Sequence, residues 1–564
     1  MSALGAFTFV LHSHIPYARL AGRWPHGEEW IHQAACETYI PLLRTLYDLQ
    51  AEGIPFHLNF DMTPVLAEQL TAPDILDHLD TYLDERIEAA RKDIAFFEVH
   101  NDPHLRYLAE WYYNWLTGIK QDFHERFNRD LIGAFRQLQD DGYIEIMTSA
   151  ATHGYLPLLG HDSSLRGQIK TAIKAHERHF GRRPTSFWLP ECAYRPAYIT
   201  DDSQTRPGLE QFLVEEGFRI FFCETHAITG GQPVGVSAGN VIGPYGQISR
   251  QYVIPPNRSM PERPASTFAP YYVADTSAGS GAGHHTGIAV IGRNNRTGMQ
   301  VWSAEWGYPG DVDYREFHKR AGTSGFKYWR VTSDEIDLDE KDYYHPDWAA
   351  YKVDQHAEHF AHLVGDILRE HHRDTGQYGV ILAAYDAELF GHWWFEGVDW
   401  LGKVLRHLSD DPAVDMMTAN AFIDQHPPTE RLSLPEGSWG VGGTHFNWEN
   451  AENNWMWPAI HEAEARMTAL ADRFTTPSET ERALLNQAAR ELLLLQSSDW
   501  PFLITTGQAR EYAIQRFTQH VHRFEKLAAS LESGSPNAEL AAQYWEIDKI
   551  FADIDYRWFA SQTT

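Results

Sequence analysis

The sequence predicts an α/β fold: a distorted barrel of about seven parallel strands, with a small inserted helical domain and a C-terminal α-helical domain. Three observations carry this expectation. Short apolar runs recur along the first two thirds of the chain, and each ends at polar, chemically capable residues. Helical patterns separate most of the runs. The alternation is interrupted near residue 73 and stops for good near residue 398.

The runs can be taken in order. Phe7 to Leu11 leads to His12, Phe56 to Phe60 to Asp61, and Ile144 to Met147 to Thr148, with His153 beyond. Ser186 to Leu189 leads to Glu191, Ile220 to Phe222 to Glu224 and His226, Met299 to Trp302 to Glu305, and Val380 to Ala384 to Asp386. Ile288 to Ile291, ahead of Arg293, is an eighth candidate beside the sixth. Runs rich in Val, Ile, Phe and Leu fit strands buried on both faces. The helical patterns between them include Glu37–Leu49, Leu165–His179 and Tyr351–His371, and strand–helix alternation implies right-handed crossovers and a parallel sheet.

The expected barrel spans 1–72 and 137–397. Residues 73–136 are charged, helical and aromatic, with Trp111, Tyr112, Tyr113 and Trp115, and read as the inserted helical domain. Residues 229–297 are rich in Gly, Pro and Ser and read as a long, mobile Gly-rich loop within the barrel. From 398 to 564 the pattern is helical, with Glu479–Leu495 and Gln508–Leu531 the clearest segments.

Composition excludes several function classes. At 564 residues and 43% hydrophobic, the chain can bury an ample core. No run approaches 18 apolar residues, and the start lacks a basic region followed by a cleavage site, so a cytoplasmic enzyme without a membrane association is expected. Cys36, Cys192 and Cys223 are far apart and lack metal spacing, which fits small buried residues rather than a disulfide framework. A formal charge of −30 repels nucleic acid and anionic lipid, so a neutral substrate is the easier guest. The 19 Trp, 26 Tyr and 29 Phe are suited to stacking on sugars, although aromatics fill cores first.

Local chemistry narrows the choice. His12 and His14 lie two apart on a strand, so both imidazoles face one side. Substrate hydrogen bonding, a structural role and metal binding all fit them, but a third metal ligand at matching spacing is missing. Glu191 lies just past a strand, in Trp188-Leu189-Pro190-Glu191-Cys192, where Pro190 stiffens the turn. In Tyr385-Asp386-Ala387-Glu388-Leu389-Phe390-Gly391-His392-Trp393-Trp394, acids, an imidazole and indoles crowd together after a strand. Burial beside aromatics raises a carboxyl pKa and keeps it protonated, while a second acid in a more polar setting stays ionised. Two such carboxyls are what glycoside cleavage requires.

These blocks, with His12-Ser13-His14-Ile15-Pro16-Tyr17, Ala151-Thr152-His153-Gly154-Tyr155, Gly437-Ser438-Trp439-Gly440 and Ser498-Asp499-Trp500-Pro501-Phe502, resemble the ordered motifs of glycoside hydrolase family 57. Within that family the chain looks most like the 1,4-α-glucan branching enzymes, and the similarity covers nearly the whole chain.

The resemblance implies a (β/α)7 barrel, a retaining mechanism and no cofactor or metal. It makes Glu191 the nucleophile and Asp386 the acid/base. His12, His14, His153 and His392 match sugar-binding positions, and Trp24, Trp302, Trp439 and Trp448 match aromatic positions along the glucan groove. Arg293, Trp393 and Asp499 complete the implied substrate-binding set. The implied partner is an α-1,4-glucan such as amylose, glycogen or starch.

Branching relatives carry a shielding Tyr in the loop after the fifth strand. Ser237 stands at that place here, and Tyr245 and Tyr252 are the loop candidates to replace it. Three readings follow: a branching enzyme; an α-1,4-glucan hydrolase or 4-α-glucanotransferase on the same scaffold; and a non-catalytic glucan binder or a metal-dependent hydrolase using His12 and His14.

Overall fold

The computed structural model describes residues 3–201, 203–233, 241–243, 246–248, 260–276, 284–303, 307–333 and 335–561. The fold is mixed α/β, followed by a helical C-terminal domain. The strands of its two larger sheets are β1 (Gly5–Ser13), β2 (Leu58–Met62), β3 (Ile144–Met147), β4 (Ser186–Phe187), β5 (Ile220–Cys223), β6 (Tyr271–Ala274), β7 (His285–Gly292), β8 (Gly379–Asp386), β9 (Val414–Met416) and β10 (Arg431–Leu432).

Two sheets organise these strands. In one, the order is β8-β1-β2-β3, all parallel, with β9 also pairing with β1. In the other, β4, β5 and β7 are parallel neighbours, and β6 adds antiparallel to β7. The sheets touch at both sides. Thr148 and Phe187 form a parallel bridge between β3 and β4, and the Asn294 N–H, just past β7, donates to the Leu382 carbonyl of β8 at 2.9 Å.

Side-chain alternation explains the layers. Phe7, Phe9 and Leu11 of β1 and Ile381, Ala383 and Tyr385 of β8 point outward into a core shared with flanking helices. Ala6, Val10, Val380, Leu382 and Ala384 point the other way, and meet Ile220, Phe222, Ala289 and Ile291 of the second sheet in a small central core.

One expected strand is corrected. Met299–Trp302 ends a helix, Asn295–Trp302, whose buried residues Thr297, Gly298 and Val301 follow helical spacing and whose N-cap, Asn294, accepts from the Thr297 N–H at 3.1 Å. The eighth candidate, inside β7, is the strand at this place. Glu305 and the glycine-richest part of the 229–297 loop, residues 277–283, lie outside the described residues.

Residues 73–136 supply the helices Pro73–Val99 and Pro103–Gln121, which pack on one another, and the start of Leu131–Asp140. Leu79, Leu83, Leu108 and Leu116 enter the same core as β1 and β2, so the insertion is seated on the sheet. The sheet layer also extends past residue 398. The helix Gly397–Asp410 buries Trp400, Leu401 and Leu405 in that core, and β9 follows it. Farther on, the helices Met456–Arg473, Glu479–Leu495 and Arg510–Glu532 pack together, with a Ser478–Glu481 capping box starting the second. They share a core with the helix Asp162–Phe180, Phe187 and Phe221. No described helix is long and apolar enough to cross a membrane.

Candidate active site

The acids sit at the ends of the sheets because the strands deliver them there. β8 ends at Asp386, in register with His12 of β1. β4 runs out at Phe187, and the chain then turns so tightly that Glu191 and Cys192 take φ values of 61° and 47°. His153, in the loop after β3, lies at φ 55°. Left-handed backbone at non-glycine residues is strained and clusters at functional sites.

These residues meet in a cleft of about 370 Å³. His12, His14, Trp24, His153, Glu191, Asp386, His392, Trp393, Trp439 and Asp499 of the expected set all line it. Trp439 Nε1 donates to Glu191 Oε2 at 2.5 Å, and the His153 ring stands 3.9 Å from the other carboxylate oxygen. The rings of His12, His14 and His153 stack, with His14 and His153 centroids 4.1 Å apart. Trp393 stacks on Phe317 at 4.5 Å.

Each imidazole is oriented by a partner. His12 Nδ1 meets Asp61 Oδ2 at 2.5 Å, and His392 Nδ1 meets Glu37 Oε2 at 2.6 Å. His14 has both nitrogens engaged, Nδ1 with Thr63 at 3.2 Å and Nε2 with Asp499 at 2.9 Å. His153 Nδ1 meets Ser498 Oγ at 2.8 Å, while its buried Nε2 finds no hydrogen-bond partner among the described residues. Rings held in this way by carboxylates and hydroxyls are disposed to meet a polar guest, and His14 has no nitrogen left for a metal.

Burial dominates the electrostatics. It pushes the Glu191 carboxyl up to about 8, with Asp386 and Asp499 adding repulsion and the Trp439 donor opposing. Asp386 is pushed up to about 6, opposed by Arg293 and His14. The negative charge of Asp386 is one of the lesser causes that make Glu191 costly to ionise. Glu388 is also pushed up to about 8 by burial. Burial holds His12 and His153 well below the usual imidazole range, as neutral rings.

Three expected residues stand outside the cleft. Trp448 is buried, stacked on Tyr155 at 4.4 Å, so it is a core residue rather than a groove wall. Trp302 ends its helix with Nε1 directed at the Ala384 carbonyl, 3.5 Å away. Arg293 pairs with Glu224 at 3.0 Å, and its charge opposes the upward push on Asp386. Tyr245 and Tyr252, like Ser237, lie outside the described residues.

Other cleft residues were missed by sequence reasoning. Glu388 accepts from Tyr39 and from the His14 N–H, and its signal was its place in the crowded block after β8. Phe317, Arg320 and Phe502 also line the cleft. Away from it, Glu491, His520 and Asp548 bring ligand-type atoms within 4.8 Å of one another, but Arg523 forms an ion pair with Asp548 and His520 hydrogen-bonds with Glu491, which makes an internal polar network.

Paired acids at strand ends, in a cleft with neutral imidazoles and exposed indoles, define an enzyme that cleaves or transfers glycosides. The sequence profile of glycosyl hydrolase family 57 matches residues 8–435, and that of the 1,4-alpha-glucan branching enzyme C-terminal region matches residues 459–559. This chain belongs to glycosyl hydrolase family 57.

It is 44% identical over 559 residues to the 1,4-alpha-glucan branching enzyme of Thermococcus kodakarensis, covering 98% of this chain and 78% of that protein. The crystal structure of the GH57-type branching enzyme from Pyrococcus horikoshii matches with a TM-score of 0.86 and 41% identity, over 99% of this chain and 97% of that one. That of the α-amylase AmyC from Thermotoga maritima matches at 0.81 and 29% identity, over 99% of both chains.

Proposed function

We propose that this protein is a retaining 1,4-α-glucan branching enzyme, with Glu191 as nucleophile and Asp386 as acid/base. The carrying observation is the meeting of these two half-buried acids with His12, His153 and Trp439 in one cleft. The 44% identity to a branching enzyme over nearly the whole chain supports the transfer of that activity. The seven parallel strands β8-β1-β2-β3-β4-β5-β7, bridged at both sheet edges, are read as a distorted (β/α)7 barrel.

In this mechanism Asp386 protonates the glycosidic oxygen while Glu191 attacks the anomeric carbon, leaving a covalent glucosyl-enzyme. Glu191 must therefore be ionised as the bond breaks. Positive charge developing on the sugar beside Glu191 favours its ionised form, and negative charge developing on the leaving oxygen favours proton donation from Asp386. Asp386, ionised after the first step, then takes the proton of the attacking hydroxyl. A 6-hydroxyl of a second glucan gives an α-1,6 branch; water gives a shortened chain.

Amylose, glycogen and starch are the proposed substrates, and a cytoplasmic location is part of the same reading, supported by three buried, unpaired cysteines. The likeness to an α-amylase gives the hydrolytic reading a specific basis. Incubation with amylose separates the two readings. New α-1,6 linkages, counted by proton NMR, in excess of new reducing ends are expected; reducing ends without linkages would reject branching.

A further inference from the structure

A second cavity, of about 660 Å³, adjoins the catalytic cleft and shares Trp24, Glu29, Gln33 and Arg320 with it. Its far wall is built from the inserted helices, through Tyr82, Arg86 and Trp115, and its rim from the loop 320–327. The catalytic mechanism uses none of these groups. We propose that this cavity holds the second α-glucan chain, the acceptor, and so determines that the glucosyl-enzyme is attacked by a 6-hydroxyl rather than by water. The inference rests on the branching reading above.

The chemistry of branching calls for such a second arm. A chain that attacks through its terminal 4-hydroxyl runs away from the reaction centre in one direction. A chain that attacks through the 6-hydroxyl of an interior glucose continues on both sides of the point of attack. A single cleft accommodates the first geometry, whereas the second needs a further groove that joins the cleft. Two cavities with a shared wall supply one, and 660 Å³ lies within the range of about 300–1,000 Å³ usual for small-molecule sites.

The lining suits a neutral, hydroxyl-rich guest. Arg23 pairs with Glu85 at 2.5 Å, and Arg315 lies 3.7 Å from Glu37, so much of the charge is internally matched. Lys327, buried in the wall, has an ammonium with no hydrogen-bond partner among the described residues; it lies 3.8 Å over the Phe317 ring and faces the Glu37 charge. An unmet buried donor of this kind costs free energy until an acceptor, such as a sugar hydroxyl, arrives. The two cavities are also linked by a hydrogen bond: Glu37 lines the second, His392 lines the first, and they meet at 2.6 Å.

Filling the mouth of the cavity tests the assignment. A side chain at Gly322 would meet no heavy atom within 4 Å at its Cβ, and Thr323 is exposed beside it, so Gly322→Trp and Thr323→Trp add bulk without disturbing the core. Thermal unfolding of both variants should match the parent. With amylose, each should form α-1,6 linkages at least tenfold more slowly, while reducing ends appear at the parental rate or faster. Unchanged linkage formation in both variants would overturn the proposal. An equal fall in linkages and reducing ends would also overturn it, by assigning the cavity to the donor chain. A parent protein that forms no linkages would instead overturn the branching reading.

Discussion

Trp439 holds Glu191 twice: its indole N–H donates to the carboxylate at 2.5 Å, and its backbone N–H donates to the Glu191 carbonyl at 3.1 Å. The second bond helps secure the left-handed turn, and the first favours the ionised carboxylate. Trp439→Phe keeps the ring and loses the side-chain donor. Hydrogen bonds to charged groups are worth about 1.5–3 kcal/mol, so kcat/KM on amylose should fall roughly 10- to 150-fold. Because the donor lowers the Glu191 pKa, the acid limb of the pH–rate profile should move to higher pH. An unmoved limb would separate Trp439 from the nucleophile's ionisation.

Glu191→Gln and Asp386→Asn should each lower turnover by about 10³-fold or more while leaving the circular dichroism spectrum unchanged, as expected when a paired acid is lost from a glycoside-cleaving site. Near-parental turnover in either would refute the assigned roles.

The same Glu191 variant should show how the site affects stability. A carboxyl pushed up to about 8 in the fold binds its proton more tightly there than in the unfolded chain. Its contribution to stability is complete below about pH 4.5 and is lost as pH rises toward 8. Glutamine, neutral throughout, avoids that loss. Glu191→Gln should thus match the parent in unfolding free energy at pH 4.5 and exceed it at pH 8, by on the order of a few kcal/mol at about 1.4 kcal/mol per pKa unit. A difference independent of pH would count against the burial of an ionisable nucleophile.

Ser498 positions His153 without lining the cleft. Ser498→Ala should lower kcat roughly three- to tenfold, the worth of one net hydrogen bond of about 1 kcal/mol. Ser498→Thr, which keeps the hydroxyl, should restore it. A threonine variant no better than alanine would point to packing rather than orientation.

Asp548 is buried against Arg523 in the helical domain. Asp548→Asn breaks the buried pair with that guanidinium, at a cost of up to about 3–5 kcal/mol, offset in part as the neighbouring Glu491 is relieved of the Asp548 charge. The melting temperature should fall by several degrees, with the ratio of linkages to reducing ends unaltered at low temperature. A changed ratio would tie this network to the chemistry.

Much of this was legible in the sequence for a physical reason. Parallel strands covered on both faces are largely apolar, so β1, β3, β5 and β8 announce themselves, and where the apolar runs of β1 and β8 end, His12 and Asp386 are delivered to the cleft. The same signal misled at Met299–Trp302, where a helix buries its apolar face over a stretch as short as a strand. The clue there was Asn294, a helix N-cap preceding Thr297. Trp448 was illegible because a Trp stacked inside a core and a Trp on a groove wall look alike in one dimension. Phe317 and Arg320 reach the cleft from an irregular loop with no periodicity to read. Nor does composition foretell that Glu191 sits at φ 61°.

His153 and His14 come from the sheet-bearing part of the chain, yet the groups that aim them, Ser498 and Asp499, begin a helix of the C-terminal domain. The two regions therefore cannot be exchanged among relatives as independent modules. A shortened chain ending before Ser498 would keep both acids and every strand, but its histidines would no longer be oriented. Any recombination that joins the sheet region of one ancestor to the helical domain of another must preserve this two-residue seam.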